Sequence, residues 1–492
     1  MTSAPTTAPA FDGRLVLPTD ADWDDARVGR VFNGRRPDRQ PDAVLIAANV
    51  DDVQKGVRLA IQNGWTVAVR SGGHAWAAWS VRDGGLLIDL GALTDISYDE
   101  ATHIVSAGPA TKGGEVLSPY LEERGRFFNG GHCPTVGIGG FLLQGGQGWN
   151  QRGWGWAAES VVAVDVVTAD GELVRADAEQ NSDLYWAARG AGPSFPGIVV
   201  RFHLNTRPKF GALAHTVHGY ELEDFTEVMT WMYQAHHRIP DNVEIVCVSV
   251  PVPLPDDADA VLAQEPVLVD GLPAETTAER RLFLVTGLAF GDDEEHARAS
   301  LAEFNTSPVL DRAVFVQDAA PSTLVEQREE QLRNNPEHWQ YICDNAWIDG
   351  ENTPEGIAAM VDGIRPLFTT NPTDRGFAIW MSNAPRRALA DMAFSLHTDA
   401  YVAAYTVYED PAEFARNRAW VDEVFAHAEP VTAGQYLGDS DMTNRQLKFM
   451  APANWAKLQQ IIADRDPEGR FHRYLAKDPA TINVNHWELA ER

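Results

Sequence analysis

Two stretches of this chain hold residue types suited to gripping a ligand and reacting with it. The first is Arg70-Ser71-Gly72-Gly73-His74. Small residues in succession after a strand leave backbone N–H groups open, and such a run can cradle a diphosphate. A plain turn also uses Gly-Gly, so that pair alone leaves both readings open. The second runs Gly130-Gly131-His132-Cys133-Pro134-Thr135-Val136-Gly137-Ile138-Gly139-Gly140-Phe141 and continues through Gly145, Gly146 and Gly148. So many glycines imply backbone brought close to something flat or anionic. A flexible linker would be polar, and Pro134, Val136, Ile138 and Phe141 are not. His74 and Cys133 are the nucleophilic side chains of the two stretches. The bland alternatives are a hydrogen-bonded loop histidine and a buried apolar thiol.

The elements around these stretches read as an α/β unit followed by a different texture. Ala43 to Ala48 is an apolar run suited to a buried strand. Asn49 is placed to cap a helix with Asp51 and Asp52 in its first turn, and Gly64 stops it. Thr66 to Arg70 is the next strand and delivers the first glycine pair. Leu86 to Leu90, His103 to Ala107 and Ile198 to Leu204 read as further strands. Val161 to Thr168 and Glu172 to Ala176 form a hairpin about Ala169-Asp170-Gly171. Beyond about residue 210, runs such as Val243 to Val250, Arg281 to Leu288, Phe377 to Met381 and Tyr401 to Tyr408 alternate with helical segments. That suits an antiparallel sheet with helices on one face. Pro251 to Asp259 and Glu265 to Pro273 read as surface loops.

Composition narrows the partners. A chain of 492 residues with 44% hydrophobic and 22% charged residues is expected to fold as a soluble protein of two packed units. The net charge of −30 disfavours nucleic acid and anionic membranes. No stretch is apolar enough to span a bilayer. Met1 to Asp12 lacks the regions of a signal peptide, so residues 1–13 are expected to be a disordered leader. Cys133, Cys247 and Cys343 make neither a disulfide framework nor a zinc set, and fit a reducing, cytoplasmic setting. His236-His237-Arg238 suits a helix end, and no metal is expected there.

The glycine stretches, in this order, resemble the berberine bridge enzyme-like branch of the vanillyl-alcohol oxidase superfamily. The matching text is Val69 to His74, then Cys133-Pro134-Thr135-Val136-Gly137-Ile138-Gly139-Gly140, then Asp183-Leu184-Tyr185-Trp186-Ala187-Ala188-Arg189-Gly190-Ala191-Gly192, and Asp466-Pro467-Glu468-Gly469-Arg470-Phe471. The resemblance implies a two-domain α+β FAD-linked oxidase. A PCMH-type FAD-binding domain would span 38–208 plus 437–492, and an antiparallel-sheet substrate domain 209–436. It implies FAD held by two covalent bonds, from His74 to the 8α carbon and from Cys133 to carbon 6. A neutral imidazole and a thiolate suit additions to an electron-poor ring. Arg70, Ser71, Gly72, Gly73 and Ala75 would line the cofactor from the first stretch. Val136, Gly137, Gly140, Phe141, Gly145 and Gly146 would do so from the second, and Gly197, Ile198 and Val199 from a later strand. Valine at 136 resembles the oxidases of the family, which makes dioxygen the expected acceptor and hydrogen peroxide the by-product.

The resemblance thins in the second half. The family strand that often places Glu or Gln over the flavin aligns so that Ala404 takes that position. Phe141 stands where some relatives have histidine, and Tyr436-Leu437-Gly438 replaces a frequent Tyr-x-Asn. A substrate hydroxyl must still lose a proton, so an acceptor is expected. Tyr436 is the first candidate, followed by Tyr405 and Tyr408, of which alternation lets only one face the site. Asp441 and His397 are weaker candidates. Trp76, Trp79, Trp149, Trp154 and Trp156 crowd the glycine stretches as wall or packing residues. Glu326 to Glu330 reads as a solvated helix face. The reading is an oxidase acting on a small alcohol, sugar or natural-product intermediate. Its rivals are a dehydrogenase on the same scaffold and an inactive flavin-bearing protein.

Overall fold

Strands rich in Val, Leu, Ile and Ala build three larger sheets and a two-stranded ribbon in a computed structural model that describes residues 9–252 and 280–483. The first sheet holds β1 (Arg14–Val16), β2 (Ala43–Ile46), β3 (Val67–Arg70) and β4 (Leu86–Asp89), in the order β1-β2-β4-β3. β2 and β3 each run parallel to β4, which sits between them. The crossover helix Val50–Asn63 begins where the Asn49 side chain accepts the Asp52 N–H, and ends at Gly64 in the left-handed region.

The second sheet contains β5 (Ile96–Asp99), β6 (Ile104–Ala107), β8 (Val161–Val167), β9 (Leu173–Asp177) and β10 (Ile198–Asn205), ordered β5-β6-β10-β8-β9. β7 (Arg126–Phe127) and β11 (Arg207–Pro208) form a two-stranded ribbon. The chain after residue 437 returns to this half. Phe471 pairs with Val67, the Tyr474 hydroxyl donates to Ala191 O at 2.6 Å, and Arg465 meets Asp183 at 2.7 Å.

The third sheet has eight antiparallel strands, in the order β15-β12-β14-β13-β17-β18-β16-β19. They are β12 (Ala212–Tyr220), β13 (Val243–Val252), β14 (Arg280–Gly291), β15 (Phe315–Ser322), β16 (Gln340–Ile348), β17 (Phe377–Ser382), β18 (Ala400–Tyr408) and β19 (Thr432–Gly434). Strand alternation splits its side chains between two faces. Ile245, Cys247, Phe283, Val285, Trp380 and Val402 join a core with the helices Phe225–Ala235, Pro354–Thr369 and Phe414–Ala428. Tyr341, Cys343, Trp347, Tyr401, Ala403 and Tyr405 share the opposite face with Phe32, Trp156 and Phe394 of the first half.

Two expectations about the chain's margins change. Residues 1–8 of the expected leader lie outside the described residues. Asp12 and Gly13, however, are fastened, since their N–H groups donate to the Asp52 carboxylate at 2.9 and 2.7 Å. Pro251 and Val252 extend β13 instead of opening a loop. The rest of Pro251 to Asp259 and all of Glu265 to Pro273 fall outside the described residues.

Candidate active site

The two glycine stretches meet back to back. A Cβ on Gly72 would stand 2.7 Å from Gly137 N, and one on Gly137 would stand 2.9 Å from Gly72 Cα. Neither position tolerates a side chain, so the backbones themselves make the floor of a cavity of about 1080 Å³ between the halves of the molecule. Among the described residues, the N–H groups of Ser71, Gly72, Gly73, His74 and Ala75 donate to no protein acceptor. These residues line the cavity, and a run of unused donors fits an anionic diphosphate. Gly140 has nothing within 4 Å of where its Cβ would lie and also lines the cavity, leaving room for a flat ring system. Val136, Gly137, Phe141, Gly197, Ile198 and Val199 complete that side. The residues present fit FAD.

His74 and Cys133, far apart in sequence, converge on one hydroxyl. Thr135 Oγ1 is 2.9 Å from His74 Nε2 and 3.5 Å from Cys133 Sγ. Phe32 stacks on the imidazole with ring centres 4.3 Å apart. Burial, reinforced by the charge of Lys112, lowers the His74 pKa to about 3, so the ring is neutral as a nucleophile must be. Burial also pushes the Cys133 thiol up, with Thr135 acting the other way. Desolvation works against the thiolate that the sequence reading expects to add to the ring.

The opposite wall belongs to the third sheet. Val246, Val248, Val250, Leu284, Leu288 and Ile379 face the cavity and make it largely apolar. Tyr436 and Tyr405 line it as expected, whereas Tyr408 does not. Tyr408 lies on the helix-covered face, and its buried hydroxyl has no partner among the described residues. The same alternation removes significance from Ala404, which packs under the helices, while Tyr405 beside it faces the cavity. Burial pushes the phenols of Tyr436 and Tyr405 up, which makes each a poor base in its own right. The Tyr436 hydroxyl accepts the Gln147 N–H at 3.2 Å, and Tyr405 stacks on Phe377 at 4.4 Å.

Two carboxylates in the cavity wall had no motif to announce them. Asp439 accepts the Trp76 indole N–H at 3.0 Å and the Tyr401 hydroxyl at 2.5 Å. Glu244, on β13, lies 3.0 Å from His132 Nε2 through both oxygens and accepts the Asn150 N–H at 2.7 Å. The position of Asp439 just past Tyr436-Leu437-Gly438 was the one sequence signal available. For Glu244, 112 residues from His132, there was none.

Other expected site residues take structural roles. Arg70 is among the residues lining the cavity, and its side chain is buried and hydrogen-bonded within the protein. Its Nε meets Asp89 Oδ2 at 2.7 Å, and its Nη atoms donate to the carbonyls of Ala26 and Arg27 at 2.5 Å. Gly145 and Gly146 do not line the cavity; Cβ atoms there would meet Phe394 and Ala157, each at 2.7 Å. Trp76, Trp79 and Trp149 reach the cavity, but Trp154 packs among Phe127, Phe210 and Phe290, and Trp156 against Phe394. Asp441 is paired with Arg35 at 2.8 Å, and neither it nor His397 lines the cavity. In the segment read as a solvated face, Glu326 and Glu329 are exposed, but Gln327 and Glu330 line the cavity.

Residues 41–177 match the family model described as an FAD binding domain. FAD-linked oxidoreductase nodO of Hypoxylon pulicicidum is 32% identical over 467 residues, which cover 94% of this chain and 96% of that protein. Among solved structures, Physcomitrella patens BBE-like 1 superposes with a TM-score of 0.75 at 18% identity, over 94% of this chain and 96% of its own. Glucooligosaccharide oxidase of Acremonium strictum, described as revealing a novel flavinylation, gives 0.74 at 19% identity, over 95% and 96%. The site therefore belongs to an FAD-dependent oxidoreductase. The chain is a member of the FAD-linked oxidoreductases.

Proposed function

We propose that this protein is an oxidase whose FAD is bound through both His74 and Cys133. The convergence of those two side chains on Thr135, beside the run of unused N–H donors, is the observation that supports it. Thr135 engages Nε2 of the imidazole and leaves Nδ1 for the 8α carbon. The Cys133 thiol is held by the same hydroxyl for carbon 6. Bound FAD would take a hydride from a C–H next to oxygen or nitrogen and pass the electron pair to dioxygen, releasing hydrogen peroxide. The protein's own part is to hold the ring on the Gly72–Gly137 floor and exclude water with the apolar sheet. Val136 in the wall is small enough to leave dioxygen a path. The aliphatic side chains of β13, β14 and β17 favour a natural-product substrate with a broad apolar body over a sugar.

Acid denaturation of the purified protein tests the tethers. Yellow colour should stay with the pellet, and His74→Ala or Cys133→Ala should each leave one bond intact. Free flavin in the supernatant of the unsubstituted protein would sink the reading. Steady-state release of peroxide separates an oxidase from a dehydrogenase.

A further inference from the structure

The residue bonded to carbon 6 of a flavin stands next to N5, because these two ring positions are peri to one another. If Cys133 makes that bond, as proposed above, its chain neighbour His132, which lines the same cavity, would be within the region of the atom that receives the hydride. His132 lines the cavity with its side chain 21% exposed, and its partner Glu244 is 7% exposed. Both carboxylate oxygens face Nε2 at 3.0 Å, which places the ring proton there and leaves Nδ1 as the lone-pair nitrogen. Among the described residues Nδ1 has no hydrogen-bond partner, although it is not sealed from the cavity.

The pair is held from both halves of the protein. Asn150 sits in the left-handed region at φ 47 and aims its N–H at Glu244. A non-glycine residue keeps that conformation only where its surroundings impose it. Next to it, Arg152 donates to the carbonyls of His236, Ile239, Pro240, Val243 and Ala384, which pins the start of β13. Trp149 packs on the His132 ring at 4.4 Å. The titratable groups facing the pair are His215 on β12, which burial keeps neutral down to about pH 4, and Cys133 on the same segment as His132. Glu115 and Glu337 act on Cys133 from farther out.

We propose that His132, oriented by Glu244, is the proton acceptor of the reductive half-reaction and the proton donor of the oxidative one. As the substrate C–H bond breaks, its electron pair passes with the hydrogen to flavin N5. The O–H bond breaks, its proton goes to His132 Nδ1, and the C=O bond forms. Dioxygen then takes the electron pair with two protons, one from N5 and one from the imidazolium. The products are hydrogen peroxide, oxidised flavin and neutral His132. Glu244 stabilises the imidazolium between the two events.

The test needs no substrate. Holoenzyme, His132→Gln and Glu244→Gln are first acid-denatured; equal covalent flavin in all three keeps the tethers out of the comparison. The visible spectrum of the oxidised protein is then titrated between about pH 5 and 8, where imidazoles change charge. The parent should show a one-proton shift of the flavin bands that is absent in His132→Gln. Next, dithionite-reduced protein is mixed with air-saturated buffer. Reoxidation should slow about a hundredfold in His132→Gln and lose its pH dependence, with a smaller loss in Glu244→Gln. If His132→Gln fails to retain flavin, Glu244→Gln, which keeps the imidazole, decides by its rate and its shifted pH midpoint. Unchanged reoxidation and unchanged pH profiles in flavin-loaded variants overturn the proposal. Free flavin from the acid-treated parent overturns the tether reading instead, and slow reoxidation of the parent removes the peroxide half.

Discussion

Arg70 and Asp89 form the test case for separating structure from cofactor binding at the head of the first glycine stretch. Their side chains are 1% and 2% exposed, and breaking a buried pair by removing one partner costs about 3–5 kcal/mol. The two ends are not equivalent. Asp89 also pairs with Arg30 and accepts the Gly91 N–H at 2.7 Å. Arg70→Met therefore leaves the carboxylate with a cation and a donor, and should fall near about 3 kcal/mol. Asp89→Asn strips the counter-charge from both arginines at once and should reach about 5 kcal/mol. At roughly 2–4 °C per kcal/mol for a domain of this size, the melting temperature drops by about 6–12 °C in the first variant and about 10–20 °C in the second. Near-ultraviolet circular dichroism at one fixed scan rate reads both. If Arg70→Met melts at or below Asp89→Asn, the shared-charge reasoning is wrong. If Arg70→Met loses flavin while keeping its melting temperature, the side chain serves the diphosphate after all.

Thr135→Val removes a hydroxyl worth about 1 kcal/mol to the imidazole, so covalent attachment should slow roughly fivefold. A time course of acid-stable colour measures this, and Thr135→Ser should restore it. Gly73→Ala and Gly140→Ala should fail differently. The first puts a methyl 1.9 Å from Arg30 O at φ +83 and should unfold the loop, which lowers the melting temperature. The second meets nothing, so it should fold normally but load less flavin, read as the ratio of flavin to protein absorbance. Tyr408→Phe deletes a buried hydroxyl that has no partner among the described residues and should leave the melting temperature equal or higher, with flavin spectra unchanged. Burial lowers the pKa values of His215, His218, His397 and His472 to about 4 each. The unfolded chain therefore binds more protons than the folded one from about pH 6.5 down to 4. Stability should be full above that window and fall steadily through it, as acid unfolding monitored by tryptophan fluorescence would show.

Legibility followed the range of the interactions. The capped helix after β2, the strand feeding the first glycine pair and the hairpin about Gly171 rest on neighbours in sequence, and local pattern sufficed. The glycine floor was legible as glycine because two backbones touch where no side chain fits. The side-chain partners of Arg70, namely Ala26, Arg27 and Asp89, were not legible because they come from elements that only the fold brings together. The face of β18 was misjudged for a sharper reason. Alternation makes a one-residue shift swap the two faces, so aligning Ala404 over the flavin exchanged cavity for helix packing.

That shift bears on whether the site can do chemistry. The reading of an inactive flavin carrier rested on alanine at 404, a position that never faces the cavity. The cavity wall holds three carboxylates, Glu244, Glu330 and Asp439, and the surroundings of Asp439 and Glu244 differ. Asp439 spends its oxygens on Trp76 and Tyr401, so a proton arriving there displaces donors already in place. Glu244 instead backs an imidazole whose far nitrogen is unused, and a proton gained by that nitrogen strengthens the contact with Glu244. The proposed proton acceptor therefore lies beside Cys133, on the stretch that also carries the proposed tether, rather than on the strand where the family pattern first directed the search.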